Sequence, residues 1–252
     1  DPQAYDLLLK GLEMFRRFTA ETNAEARSLF KQALELDPDF ARAHADVALT
    51  HALDIQFGWS VANAELFENA FGHAQRALEL DDKLVQALFS LSLLHMNKKE
   101  HDRALQVSQR MVSLHPSYAD GYAQFAQMLV YAGEPEEALD KLQTAMELNP
   151  RHSFFYTWIE GHAHMMLGNT KRAEELFLNV IERNAFFPGA HLTLTALYGN
   201  ENRLDDAEWQ AVEILNLRPQ FSLHTEAQRI PYRNKSHLEY YIEGLRAAGL
   251  PE

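Results

Sequence analysis

Two columns of residues recur along this chain at the same spacings. One is a small residue near the start of a helical stretch: Ala26, Ala70, Ala104, Ala138, Ala173 and Ala207, separated by 44, 34, 34, 35 and 34 residues. The other ends the same stretch: Pro38, Asp82, Pro116, Pro150, Ala185 and Pro219, again separated by 44, 34, 34, 35 and 34. Coincidence does not produce that agreement, and a fixed period of this length is the mark of a repeat architecture. The local pattern says what each unit is. AEARSLFKQALEL and KRAEELFLNVIER carry apolar residues at helical spacing, strand alternation is absent, and Pro and Gly fall between the helical stretches.

Further columns follow. A small or polar residue precedes each alanine by twelve positions or slightly more: Gly11, Ala48, Ser92, Ala126, Gly161, Thr195. It allows a first helix to approach the second. Four after the alanine stand Phe30, Ala74, Ser108, Leu142, Phe177 and Ala211; seven after it, Ala33, Ala77, Met111, Ala145, Val180 and Ile214. These columns resemble tetratricopeptide (TPR) repeats, whose helix–turn–helix unit is about 34 residues long. The resemblance covers about residues 4–220. It implies an all-α right-handed TPR superhelix, an α-solenoid of six repeats at about 4–40, 41–84, 85–118, 119–152, 153–187 and 188–221, with a C-terminal cap over 221–252. Asp82, Ala185 and Thr195 depart from the usual residues of their columns.

The second repeat is ten residues longer than the period, around IQFGWSVANAE. A longer helix pair or a protruding turn is expected there, with Phe57 and Trp59 either covering neighbouring helices or meeting a partner. In the cap, FSLHTEAQRI reads as a short helix that PYRN breaks. KSHLEYYIEGLRAAGL reads as a closing helix with Ser236 as N-cap and Gly249 as stop. A solenoid needs such an end because its last repeat would otherwise expose an apolar face.

Charge and composition exclude several functions. Lys and Arg number 23 against 36 Asp and Glu, a formal charge of −13 that disfavours phosphate backbones and anionic membrane surfaces. No Cys is present, so disulfides, thiolate zinc sites and a thiol nucleophile are excluded. Twelve His residues raise the question of metal. His162 and His164, two apart on a helix, do not share a face; His44 and His51 do, without a third ligand. Carboxylates such as Glu134, Glu136, Glu137 and Asp205, Asp206, Glu208 stand at the starts of second helices, where they complement the helix dipole. Asn234-Lys235-Ser236 matches the glycosylation triplet, a pattern common by chance. No phosphate-binding glycine loop or nucleophile elbow is present. No cofactor, no metal and no enzyme activity are expected within the chain.

The first helices should carry function. In a TPR superhelix they line the concave face, and the positions not used against the second helix are largely apolar here. Phe15, Leu49, Leu53, Phe89, Leu93, Met96, Tyr131, Trp158, His162 and Met165 are the expected protein-binding groove, Met and aromatic side chains suiting adaptable surfaces. Arg16 is the one cation in the row, against the carboxylate clamp of chaperone-tail receptors.

Three phrases go further: AYDLLLKGLEMFRR, ALELDPDFARAHADVAL and HLEYYIEGLRAAGLPE. Together they resemble the C-terminal TPR regions of bacterial signalling proteins in which the array follows a class III adenylate/guanylate cyclase domain or a winged-helix domain. The resemblance implies a cytoplasmic interaction or regulatory module, with the opening DPQAYDLLLKG read as a cut within a longer protein or a processed end. Its partner would be a protein or peptide, among them its own preceding domain or a second copy, with no nucleic acid and no membrane. The alternative is a small-ligand-sensing array of a transcriptional regulator, motivated by the aromatic and Met cluster around Trp158 and His162.

Overall fold

A computed structural model describes residues 1–252. The chain is entirely helical and falls into two compact units, Asp1–Pro116 and Ser117–Glu252. Unit 1 holds α1 (Pro2–Phe15), α2 (Ala20–Leu36), α3 (Ala41–Phe57), α4 (Ala64–Leu80), α5 (Val85–Asn97) and α6 (His101–Leu114). They pair as three helical hairpins, α1 on α2, α3 on α4 and α5 on α6, with α3 also packed on α2 and α5. Unit 2 holds the hairpins α7 (Ala119–Ala132) with α8 (Pro135–Leu148), α9 (Phe154–Met166) with α10 (Thr170–Arg183), and α11 (Pro188–Asn200) with α12 (Leu204–Leu217). Then come α13 (Leu223–Arg229) and α14 (Lys235–Ala247).

The repeat columns are the core. All six column alanines are fully buried, as are the residues seven after them. Size is traded within several of the hairpins. Gly11 and Gly161, the smallest members of the first-helix column, lie where a Cβ would run into the rings of Phe30 and Phe177, the largest members of the facing column. Thr195, the bulkiest first-helix member, is matched with Ala211 in the same register. In the first and fifth hairpins the glycine makes room for the phenylalanine ring, as close-packed interiors require.

The short turns obey local chemistry. Gly58, Gly133, Gly168 and Gly249 end helices at positive φ, where a Cβ is disfavoured. Thr19 and Asn63 cap α2 and α4 through side-chain oxygens. The insertion in the second repeat lengthens both helices to 17 residues and adds the turn 58–63. Its Phe57 and Trp59 pack edge-on against Phe18 of the α1–α2 turn, at ring centroid distances of 5.1 and 5.5 Å, which is the covering role. Beneath them buried Asp54 accepts from Arg27 at 2.5 Å and Asn23 at 2.7 Å, tying α3 to α2. The N-cap of α14 is Asn234 rather than Ser236, which is the second residue of the helix; asparagine and serine rank equally as N-caps, so capping preference does not separate the two positions.

Candidate interaction surface

The ten expected groove residues divide by unit. In unit 1, Phe15, Leu49 and Phe89 are half-buried on α1, α3 and α5, whereas Leu53, Leu93 and Met96 are buried. In unit 2, Tyr131, Trp158, His162 and Met165 are all buried.

The cover over Tyr131 and His162 is the chain's own tail. Pro219 ends α12, and Pro231 keeps the segment after α13 extended, since its ring fixes φ and it has no N–H for a helix. That segment runs against α7 and α9. The Arg233 amide donates to the Tyr131 carbonyl at 2.9 Å. The Tyr232 hydroxyl is hydrogen-bonded to His162 Nε2, and its ring stands edge-on to both Tyr131 (5.4 Å) and His162 (5.6 Å). Trp158 completes the cluster, 5.4 Å from His162 on one side and from Phe187 on the other. Asn234 fills the space beside Gly133. Burial, with His237 nearby, pushes His162 down to about 3, so its imidazole is neutral at physiological pH.

A buried ionic knot holds this tail. Glu226 of α13 is wholly buried and accepts from Arg229 at 2.5 Å, Arg218 at 3.1 Å and the Tyr241 hydroxyl at 3.1 Å. Burial alone would raise its carboxyl, but Arg229 and Arg218 outweigh that and hold it below the usual range. One partner removed from such a group leaves an uncompensated charge, so the three side chains act as a unit. Helix α14 then packs along α11. The two backbones meet at Gly199 and Gly244, where neither position has room for a Cβ, and Asn200 Nδ2 donates to the Tyr240 carbonyl at 2.7 Å. The Leu223 amide donates to the Pro251 carbonyl at 2.8 Å, closing the end of the chain onto α13.

The hairpin order and the size-matched columns together define the architecture, and known structures share it. A thermophilic TPR protein of Thermus thermophilus, TTC0263, superposes with a TM-score of 0.59 at 22% identity over 73% of this chain and 96% of its own. Pseudomonas aeruginosa PilF superposes at 0.58 and 17% identity over 90% and 96%. Human IFIT1, solved as a dimer with m7Gppp-AAAA, superposes at 0.75 and 16% identity over 89% and 52%. The chain has a tetratricopeptide-repeat fold. No family model matches it. Among curated proteins it is 34% identical over 93 residues to "Putative adenylate cyclase 3" of Rhizobium meliloti (strain 1021), a match spanning 37% of this chain and 16% of that protein.

The sequence gives the cap its short helix, its break and its closing helix, but not the return of residues 230–234 onto Tyr131 and His162. The signals were present: Pro231 bars a helix, Ile230 and Tyr232 are large and apolar, and Glu226 stands between two arginines. None belongs to a repeat column, so a repeat search passes over them. No group of three or more His, Cys, Asp or Glu side chains is placed to hold a metal ion. His44 pairs with His73 through Nδ1 atoms 2.8 Å apart, and its Nε2 meets the Pro38 carbonyl at 2.9 Å. That use is structural. No helix is long and apolar enough to cross a membrane.

Proposed function

We propose that this TPR module is a non-catalytic protein-interaction and regulatory unit, the C-terminal part of a bacterial signalling protein such as an adenylate or guanylate cyclase. It would bind an apolar segment of another protein on its first helices or mediate self-association. The observation that carries the reading is the contrast along the first helices. In unit 2, Tyr131 and His162 of their apolar row are met by Tyr232 and Arg233 of the chain itself, whereas Leu12, Phe15, Leu49 and Phe89 of unit 1 are half-buried beside buried Leu53, Leu93 and Met96. The contact in unit 2 supports this reading, since there an extended segment offers an amide to a helix-end carbonyl and a tyrosine to a buried histidine. The cyclase connection is supported by the partial likeness to the Rhizobium meliloti protein and by the phrases quoted above. The capped RNA seen with IFIT1 is not carried over, because a chain of charge −13 repels a phosphate backbone. The small-ligand reading drew on the Trp158–His162 cluster, whose neighbours are the chain's own Tyr131, Tyr232 and Phe187.

Photo-crosslinking in the host tests the proposal. A photoreactive residue at Phe89 should trap a discrete protein, or a second copy of the parent. The same residue at exposed Gln109 of α6 should not. Equal trapping at both positions, or none at Phe89, would reject the first-helix face as the site.

A further inference from the structure

The outer face of α12 differs from that of the second helices before it. Two and five residues after the column alanine, the first four repeats place seven polar residues and one glycine. The fifth places Glu175 and Leu178, and the sixth places Trp209 and Val212. Trp209 is 69% exposed, Val212 55% and Leu215, three residues further on, 36%. The three stand one above another along a single ridge of the helix.

Nothing in the fold needs them there. The residue eight after the alanine packs, in earlier repeats, against the start of the next first helix: Leu34 joins Phe40 and Ala43, and Leu78 joins Leu84 and Ala87. Leu215 is the sixth of that column. After α12, helix α14 lies along α11 and touches α12, and the outer face of α12 that carries Trp209 and Val212 is left open. The charge around the ridge is one-sided. Helix α12 carries Asp205, Asp206, Glu208 and Glu213 and no Lys or Arg. Asp206 is taken up by Arg203 at 2.8 Å, while Asp205 and Glu208 are exposed beside the N-terminal end of the ridge.

We infer that this ridge is a second interaction surface, separate from the first-helix row, and that its occupant is an amphipathic helix of a partner protein with Lys or Arg at one end of its apolar stripe. A single apolar ridge fits the groove of another helix. The unpaired carboxylates set the sign of the partner's charge. A second copy is the poorer fit, because it would bring the same acidic, cation-free helix against itself.

The test uses the full chain and three labelled synthetic helices followed by fluorescence anisotropy: an apolar stripe ending in lysines, the same stripe ending in glutamates, and the lysine peptide with its stripe replaced by glutamine. The first alone should bind saturably. Trp209→Ser/Val212→Ser, both at exposed positions, should weaken it by at least about tenfold with helix content unchanged. Asp205→Asn/Glu208→Gln should flatten its salt dependence. Equal binding by the serine variant, equal binding of the stripe-free peptide, or no saturable binding of the first peptide overturns the inference. So does a concentration-dependent dimer abolished by the serine variant, which would assign the ridge to self-association.

Discussion

Replacing Gly161 by alanine asks whether the size-matched columns set the hairpin spacing. A glycine inside a helix costs about 1 kcal/mol relative to alanine, so the substitution should stabilise if the helix were alone. The added Cβ, however, would stand 2.7 Å from Phe177 Cε1, 2.9 Å from its Cδ1 and 3.2 Å from Leu176 Cβ. Carbon contacts relax at about 3.5–4.0 Å. Phe177 is fully buried, so its ring has nowhere to withdraw. Overpacking of this kind costs about 1–3 kcal/mol, and the balance is a net loss of up to about 2 kcal/mol. Two companions separate the terms. Gly72 lies within α4 with nothing inside 4 Å of a Cβ, so Gly72→Ala should stabilise by about 0.5–1 kcal/mol. With Phe177→Leu making room, Gly161→Ala should change sign and stabilise. Urea unfolding by circular dichroism reads each variant against its own background. The reasoning is refuted if Gly161→Ala stabilises as Gly72→Ala does, or if it destabilises equally with and without Phe177→Leu.

Other expectations follow from the same contacts. Ala138→Arg should cost roughly 1–3 kcal/mol or more, because Ala138 is fully buried and the larger side chain brings a charge with it; an unchanged melting profile would show that the repeat register is wrong. Glu226→Gln should cost about 3–5 kcal/mol by leaving Arg218 and Arg229 without their carboxylate, and in limited proteolysis the segment after Pro219 should become the first site of cleavage. Tyr232→Phe leaves His162 Nε2 without its hydroxyl and should cost about 1–3 kcal/mol in urea unfolding. His162 titrates at about 3 in the fold and near 6.5 when unfolded, so below about pH 6.5 the unfolded state takes up the extra proton. Its contribution is therefore complete above that pH and lost as pH falls towards 3, with a slope of at most about 1.4 kcal/mol per pH unit. Stability curves of wild type and His162→Asn should converge on acidification; parallel curves would count against the buried neutral imidazole.

Much of the fold was legible because a repeat writes the same packing rule several times. Ala26, Ala70 and Ala104 each sit where only a small side chain fits, so their spacing alone reports the period. The pairing of Gly11 with Phe30, and of Gly161 with Phe177, could also be read from the columns, since each glycine stands in the same repeat as a phenylalanine. The groove was less legible. Phe89 and Trp158 look alike in sequence, as aromatic residues three before the small-residue column of a first helix, yet one is half-buried and the other covered. Trp158 is enclosed by Phe155, His162 and Phe187, and Tyr232, from a segment outside every repeat column, joins that cluster through His162.

The sequence by itself determined helix, hairpin and period, since these depend on residues a few turns apart and recur in every unit. Only the tertiary structure decided which apolar positions are spent inside the molecule and which remain for a partner. The return of Tyr232 onto His162, the knot around Glu226 and the contact of Gly199 with Gly244 each occur once, between elements distant in the chain. A contact made once leaves no period to detect. Trp209 and Val212 stand at positions that are exposed in every earlier repeat, so the repeat register sets their exposure and the sequence alone makes them apolar.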